Sequence, residues 1–234
     1  MAFRDWPQIH THIFQFEQKG LVTRRFRRLD PDRQREILTS ILEEAVENGP
    51  ADINIKRVAA RANVAVGSLY AYFGNRYGLL DFTIELCARY MQDFITYDSN
   101  NLEQSTLRKA LAEYVTGGIE WSEAQTGLVH YFVRIAFHGD SLLSERVVKP
   151  VAEAMRGTMQ KILTRAVDRS EIRKDLDFEA LERIVYALMI AVCDSQIMPC
   201  LNTYFQLTDD EMSRERIINA LLDFVVCGVS NRIA

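Results

Sequence analysis

Apolar residues recur at helical spacing along most of this chain, and short polar clusters cut the pattern into segments. Trp6, Ile9, Ile13 and Phe16 form a first stripe, with Asp5 and Pro7 marking a start and Gly20 a stop, which predicts a small amphipathic helix ahead of the main domain. Asp30-Pro31 opens the next helix. Ile37, Leu38, Ile41, Leu42 and Ala45 give it one apolar face before Asn48-Gly49 stops it. Asn54 is a good N-cap for a short helix facing inward with Ile55, Val58, Ala59 and Ala62. Asn63 stands where a left-handed residue would turn the chain. Residues 64–76, VAVGSLYAYFGNR, supply a second short helix. Two short helices across a tight turn, behind a longer one, read as a helix-turn-helix.

A long helix then starts at Asn75, filled on its inner side by Leu79, Leu80, Ile84, Cys87, Tyr90, Met91 and Phe94. Polar breaks at Asp98-Ser99-Asn100-Asn101, Gly139-Asp140-Ser141, Asp168 to Asp177 and around Pro199 separate further helices. These are expected near 104–120, 123–138, 144–168, 178–198 and 209–230. The predicted fold is all-α, an N-terminal three-helix helix-turn-helix domain followed by a larger helical domain. With 48% apolar residues, five prolines and eleven glycines, the composition favours long helices over a turn-rich β protein.

The net charge of −4 excludes nucleic-acid binding by sheer positive charge, but phosphate contacts depend on local charge. Residues 24–80 hold ten Lys/Arg against seven Asp/Glu, a net +3, and Arg24, Arg25, Arg27 and Arg28 form a basic knot at their start. The cysteines (Cys87, Cys193, Cys200, Cys227) form no CxxC pair, so they read as reduced core thiols rather than zinc or redox ligands. His10 and His12 are two apart and His130 and His138 eight apart, neither the spacing of a helical metal pair, and no metal or cofactor is expected. No signal-peptide h-region and no 18-residue apolar run occurs, which predicts a cytoplasmic protein without a membrane span.

The chemistry concentrates in residues 64–76. Ala59, Val64 and Leu69 can lock the two short helices together, leaving Gly67, Ser68, Tyr70 and Tyr72 for an outer face. Gly67 permits close backbone approach to a duplex, Ser68 can donate to a phosphate or a base, and the tyrosine hydroxyls can donate to phosphates. Arg76, in the first turn of the next helix, can reach the flanking backbone. A helical corner with no ligand gives no reason for two exposed tyrosines beside Gly67-Ser68.

With Ile37-Leu38, Gly49 and then VAARANVAVGSLYAYFGNRYGLL over residues 58–80, the chain resembles the TetR family of bacterial transcription regulators. Gly67, Leu69, Tyr70, Tyr72, Phe73, Leu79 and Leu80 fall in register with that family's pattern, and the resemblance covers about residues 33–80. It implies that Asn54 caps its helix beside a phosphate, that Val66, Gly67, Ser68 and Ala71 face bases, and that Tyr72 and Arg76 face the backbone. Lys56, Arg57, Ala65 and Tyr70 complete the set of DNA-side candidates, with Arg24, Arg25, Arg27 and Arg28 as an arm that could reach phosphates or a minor groove. Ala65, Val66 and Ala71 depart from the family, which commonly has Ser or Thr, Lys or Arg, and His or Arg there. Val66 and Ala71 can still touch thymine methyls, so apolar and shape readout is expected.

The resemblance further implies three regions: an extension with an extra helix and basic arm (1–30), the helix-turn-helix (31–77), and a helical ligand-binding and dimerisation domain (78–234). Leu181, Ile184, Leu188, Ile218, Leu221, Leu222 and Val225 mark stripes that would form a four-helix interface between two chains. Tyr114, Trp121, Tyr131, Met155 and Met159, with His130, Arg134 and Asp194 as polar groups, are candidates for an effector pocket. Asp194, inside YALMIAVCDSQIM, is a carboxylate that needs a partner. The expected function is a dimeric regulator, a repressor by the family's habit, that binds a palindromic DNA operator and is released by a small molecule. The competing readings are an all-α enzyme or an interaction module with a merely structural helix-turn-helix; GxSxG, HExxH and P-loop motifs are all absent from the sequence.

Overall fold

A computed structural model describes residues 9–97, 99–138 and 141–230, with the side chains of His10, Ser99, Asn100, Asn101 and His138 among those left aside. Asp5, Trp6 and Pro7 of the first predicted helix, and the breaks at Asp98 and Gly139-Asp140, lie outside the described residues. Every regular element described is helical: α1 (Ile9–Gln18), α2 (Arg24–Arg27), α3 (Pro31–Asn48), α4 (Ile55–Arg61), α5 (Val66–Phe73), α6 (Arg76–Tyr97), α7 (Ser99–Gln104), α8 (Leu107–Ala124), α9 (Thr126–His138) and α10 (Ser141–Leu143). A π-helical turn (Ser144–Val148) leads into α11 (Lys149–Asp168), followed by α12 (Phe178–Ile197), α13 (Pro199–Phe205) and α14 (Arg214–Val229).

The start and stop residues act as expected. The Asp30 carboxylate accepts the Asp32 N–H at 2.9 Å, with Pro31 at the first helical position of α3. Asn63 adopts φ +48°, turning the chain between α4 and α5. Three short helices were not anticipated: the basic knot is helical as α2, α7 occupies much of a predicted break, and Pro199 starts α13 instead of lying in a loop. Two of the four cysteines depart from the expectation of core thiols: Cys87 and Cys193 are buried, whereas Cys200 and Cys227 are exposed.

Packing divides the chain into two compact units. One ends at Phe94 and resumes over Gln125–Val151, and the other holds Ile95–Ala124 and the chain from Ala152 on. Residue 77, where the sequence suggests a boundary, falls inside the first of these. In that unit the inner face of α3 (Ile37, Leu38, Ile41, Leu42) is fully buried. α9 packs on α3 through a close approach of glycines. A methyl group at Gly127 would collide with the Val46 carbonyl and sit 2.7 Å from the Ala45 carbonyl, while Gly49, at φ +86°, faces the Gly127 carbonyl. Only glycine permits that spacing.

α1 lies along α6. Buried His12 and Asp93 pair at 2.5 Å through Nε2, Phe16 meets Phe82 edge-on at 5.2 Å, Lys19 pairs with Glu85, and Glu17 pairs with Arg27 of α2. Arg146, in the π-helical turn, reaches Asp81 at 2.7 Å and also approaches Glu85.

The second unit is built on α8, α11, α12 and α14. Leu107, Leu111, Val115 and Ile119 meet Met159, Ile162 and Leu163, Val185 and Met189, and Leu222 and Val225 in one core. Replacing Gly127 by Ala is expected to cost ~1–3 kcal/mol of stability through overpacking against α3. Gly157→Ala in α11, where a methyl group meets nothing within 4 Å, should be neutral or raise stability by up to about 1 kcal/mol. Paired urea titrations of the two variants check this, and equal midpoints would contradict the glycine contact.

Candidate functional site

The first unit presents α4 and α5 on a platform made by α3. Asn54 caps α4, its side-chain oxygen accepting the N–H groups of Lys56 (3.1 Å) and Arg57 (3.3 Å). The turn is held from α3, since Arg33 donates to the Asn63 carbonyl at 2.7 Å. A stronger tie comes from Glu44, a fully buried acid. Its Oε1 accepts the Asn54 N–H (3.2 Å) and the Asn48 amide (2.8 Å), and its Oε2 lies 3.0 Å from Arg57 Nε and 3.5 Å from Arg61. Glu47 takes the outer side of the same two arginines, 2.6 Å from Arg61. The Arg61 hydrogen bond, with the charges of Arg61 and Arg57, holds the Glu47 carboxyl below its usual range against the opposing effect of burial. Arg57, expected to face DNA, is thus engaged by two carboxylates of α3.

α5 presents the expected surface, with one exception. Ala65 and Gly67 are exposed, and Val66, Ser68, Tyr70 and Ala71 are half-buried. Ala65 has no side chain with which to cap, so the first-turn amides of α5 lack a side-chain acceptor. Tyr72, predicted to be exposed, is 8% accessible. Its ring packs against Phe26 at 5.8 Å, and Arg25 lies over its other side, 5.9 Å from the ring centroid. The cause is α2, which docks on α5: Thr23 donates its N–H to the Tyr72 carbonyl (2.8 Å) and its hydroxyl to the Ala71 carbonyl (2.9 Å). The basic knot is therefore a fixed element rather than a loose arm. Arg24 and Arg28 are exposed, Arg25 covers Tyr72 and Arg27 is tied to Glu17.

Lys56 and Arg76 are exposed, as expected. Beside Arg76 stands Tyr77, 81% exposed, which the sequence reading passed over. Its position off the inner stripe of Leu79, Leu80 and Ile84 was the available signal. A short, tightly turned helix pair with a small apolar outer face, rimmed by Lys56, Arg24, Arg25, Arg28 and Arg76, fits a duplex groove between its phosphate walls.

The profile described as "Bacterial regulatory proteins, tetR family" matches residues 37–81, which span α3 to the start of α6. Over these helices the chain matches the DNA-binding profile of the TetR family. Among its relatives, the fatty acid metabolism regulator protein of Bacillus subtilis (strain 168) is 20% identical over 198 residues, covering 84% of this chain and 95% of that protein. The HTH-type transcriptional regulator BetI of Escherichia coli (strain K12 / DH10B) is 24% identical over 156 residues, 67% of this chain and 76% of that one. The crystal structure of the transcriptional regulator FadR from Bacillus subtilis in complex with stearoyl-CoA superposes with a TM-score of 0.56 at 20% identity, covering 83% of this chain and 98% of that one. At these identities the likeness of structures speaks for the fold.

The predicted effector residues divide between the two units. His130 and Arg134 are exposed, Arg134 lying 5.7 Å from the ring centroid of buried Tyr131, and all three belong to the first unit. Met159 is fully buried core of the second unit and Met155 is half-buried. The remaining three, Tyr114, Trp121 and Asp194, are half-buried on α8 and α12. Burial pushes the Asp194 carboxyl up to about 6. Burial, reinforced by Asp194, pushes Tyr186 and Cys193 each up to about 12, and burial with Tyr186, Cys193 and Asp194 nearby raises Tyr114 further.

The predicted dimer stripe is corrected as well. Ile218, Leu221, Leu222 and Val225 are buried in the second unit's own core, and Leu181 and Leu188 pack against it. Only Ile184, 59% exposed, is free of the core. The face left open carries Ile184 and Ala187 on α12 and Ala220, Phe224, Cys227 and Gly228 on α14, with Phe224 71% exposed. Helical periodicity marks two apolar faces on α14, and intramolecular packing takes the wider one.

Glu44→Ala removes the acceptor of the Asn54 N–H and the Asn48 amide and leaves Arg57 and Arg61 to Glu47 alone, at an expected cost of about 1–3 kcal/mol. Glu47→Ala, at the exposed side of the same cluster, should change stability little by comparison. Denaturant midpoints separate the two, and a mild Glu44→Ala would contradict the buried tie. Asp194 gives a pH test. Its folded carboxyl is raised from 3.8 to about 6, so the folded state holds a proton that the unfolded chain releases, and stability falls as pH rises through that interval. Asp194→Asn is therefore expected to melt above the parent at about pH 8, with the gap closing towards about pH 4. A gap unchanged with pH would contradict it.

Proposed function

We propose that this chain is a dimeric, ligand-responsive regulator that reads a palindromic operator through α5. The observation that carries this reading is the α3–α5 platform, with its small outer face ringed by cations. Val66, Gly67, Ser68 and Ala71 face the bases, while Lys56, Tyr70, Arg76 and the exposed arginines of α2 meet phosphates. Arg57 supports the platform from α3's side. Tyr72 acts by holding Arg25 in place rather than by direct contact. The fixed α2 makes the extension part of the reading head.

The open face of α12 and α14 fits a second copy of the chain, since Phe224 and Ile184 form an apolar patch flanked by small residues that permit close helix approach. An isologous pair would set two heads about one helical turn of DNA apart, roughly 34–36 Å. α6 runs unbroken from Arg76, beside the recognition helix, to Tyr97. An effector in the second unit acts by favouring a conformer whose heads are wrongly spaced, so release reflects differential affinity for two states. Repression is the direction adopted, by analogy with most of the family.

Selection of duplexes from a random pool is expected to enrich a palindrome. Arg76→Ala and Lys56→Ala should each weaken binding to every sequence alike and lower the salt slope by about 1. No enrichment at low salt would overturn the DNA reading. For the dimer, Phe224→Glu should yield monomers in sedimentation velocity, and an intact dimer would remove this face from consideration.

A further inference from the structure

α12 carries a buried carboxylate, Glu182, and a half-buried one, Asp194, and the fold treats them differently. Glu182 is met by Arg156 of α11 at 3.7 Å. Asp194, three turns further along the same helix, has neither an ion pair nor a side-chain hydrogen bond to any described residue. A carboxylate drawn partly out of water is stabilised by a cation or donors, and among the described residues this one has neither.

Near it on α8 is Tyr114. Its hydroxyl is buried and has no hydrogen-bond partner among the described residues. α8 packs on α12 here, with Cys193 Sγ 4.0 Å from the Val115 carbonyl. Tyr114 lies close enough to feel the charge of Asp194, yet no hydrogen bond joins them. A phenol and a carboxylate that could satisfy each other are instead held apart.

The stretch of α8 beyond Tyr114 is built for space. Gly117, Gly118 and Trp121 follow Tyr114 on one face, within about a quarter to a third of the helix circumference. Adjacent glycines weaken a helix interior, so they call for a reason. Close packing is not that reason: both are half-buried, and a methyl group on either would meet nothing within 4 Å. Gly127, by contrast, is required by backbone contact. The pair leaves open space beside α8 on the face that carries Tyr114 and Trp121.

We propose that this space binds an apolar organic amine, whose ammonium donates to the Asp194 carboxylate and the Tyr114 hydroxyl oxygen while its hydrocarbon lies over Gly117 and Gly118 towards Trp121. An ammonium has three donors and no acceptor, which suits a carboxylate flanked by the phenols of Tyr114 and Tyr186. An anionic ligand would meet Asp194 head-on. The inference rests on the reading of the second unit as the effector domain and names the class of effector.

The test is calorimetric titration of the full-length chain with hexylammonium, 1-hexanol and hexanoate, which share a hydrocarbon and differ in charge. Hexylammonium should bind at least about tenfold more tightly than either comparator. Asp194→Asn should abolish that preference while leaving hexanol unaffected, Tyr114→Phe should weaken the amine several-fold, and Gly118→Leu should block all three. Equal or tighter binding of hexanol or hexanoate, a preference that survives Asp194→Asn, or no binding of the amine overturns the proposal. Operator binding is followed in parallel on the selected palindrome. If the palindrome binds but the amine does not, the regulator reading stands and the amine class falls. If no palindrome is enriched, the regulator reading falls, and the titration alone decides whether the site takes amines.

Discussion

Four helices of the first unit meet through a run of aromatic rings, and the position of the recognition helix depends on it. Phe16 of α1 meets Phe82 of α6 edge-on, Phe82 stacks on Phe73 of α5 at 4.6 Å, and Phe73 meets Phe26 of α2 at 5.2 Å. α5 has eight residues, too few to hold a helical shape in water alone. Its conformation is imposed by what it packs against. Offset and edge-on ring contacts are directional, so they fix the helix's rotation as well as its depth. That rotation decides whether Gly67 and Ser68 or the apolar residues face outward.

The charge pattern follows a related logic. An acidic chain presents a basic surface by keeping its acids busy behind it. Glu44 and Glu47 sit on the far side of α4 with Arg57 and Arg61, while Glu17, Glu85 and Asp81 take Arg27, Lys19 and Arg146. The cations left over cluster at α2, the start of α4 and the start of α6. Glu44 is the costly member, an acid at zero exposure, and its two hydrogen bonds and two arginine neighbours explain how it is tolerated.

Much of this was legible beforehand. The caps at Asp30 and Asn54, the left-handed Asn63 and the buried stripe of α3 are local signals, and local signals survive folding. What failed was longer in range. Tyr72 looked like a surface residue because its partner, Phe26, lies 46 positions away in a segment that read as a basic arm. The stripe on α14 was found, but an amphipathic pattern does not say whether its apolar side meets the same chain or another. The effector candidates fall in both units, and bulky side chains on middle helices are mostly core, as Met159 is. Asp194 keeps the isolation its sequence suggests, half-buried on α12 with no side-chain partner among the described residues.

The glycine contact between α3 and α9 bears on how such regulators can be recombined. Gly127 belongs to a stretch some 80 residues downstream of the helix it supports, and it meets the carbonyls of Ala45 and Val46 at near-contact distance. A reading head excised at the end of α5 would lose that support and lay bare the side of α3 it covers. In chimeric regulators, the transferable module from this chain is a discontinuous one, in which residues 125–151 travel with the head to any new sensor.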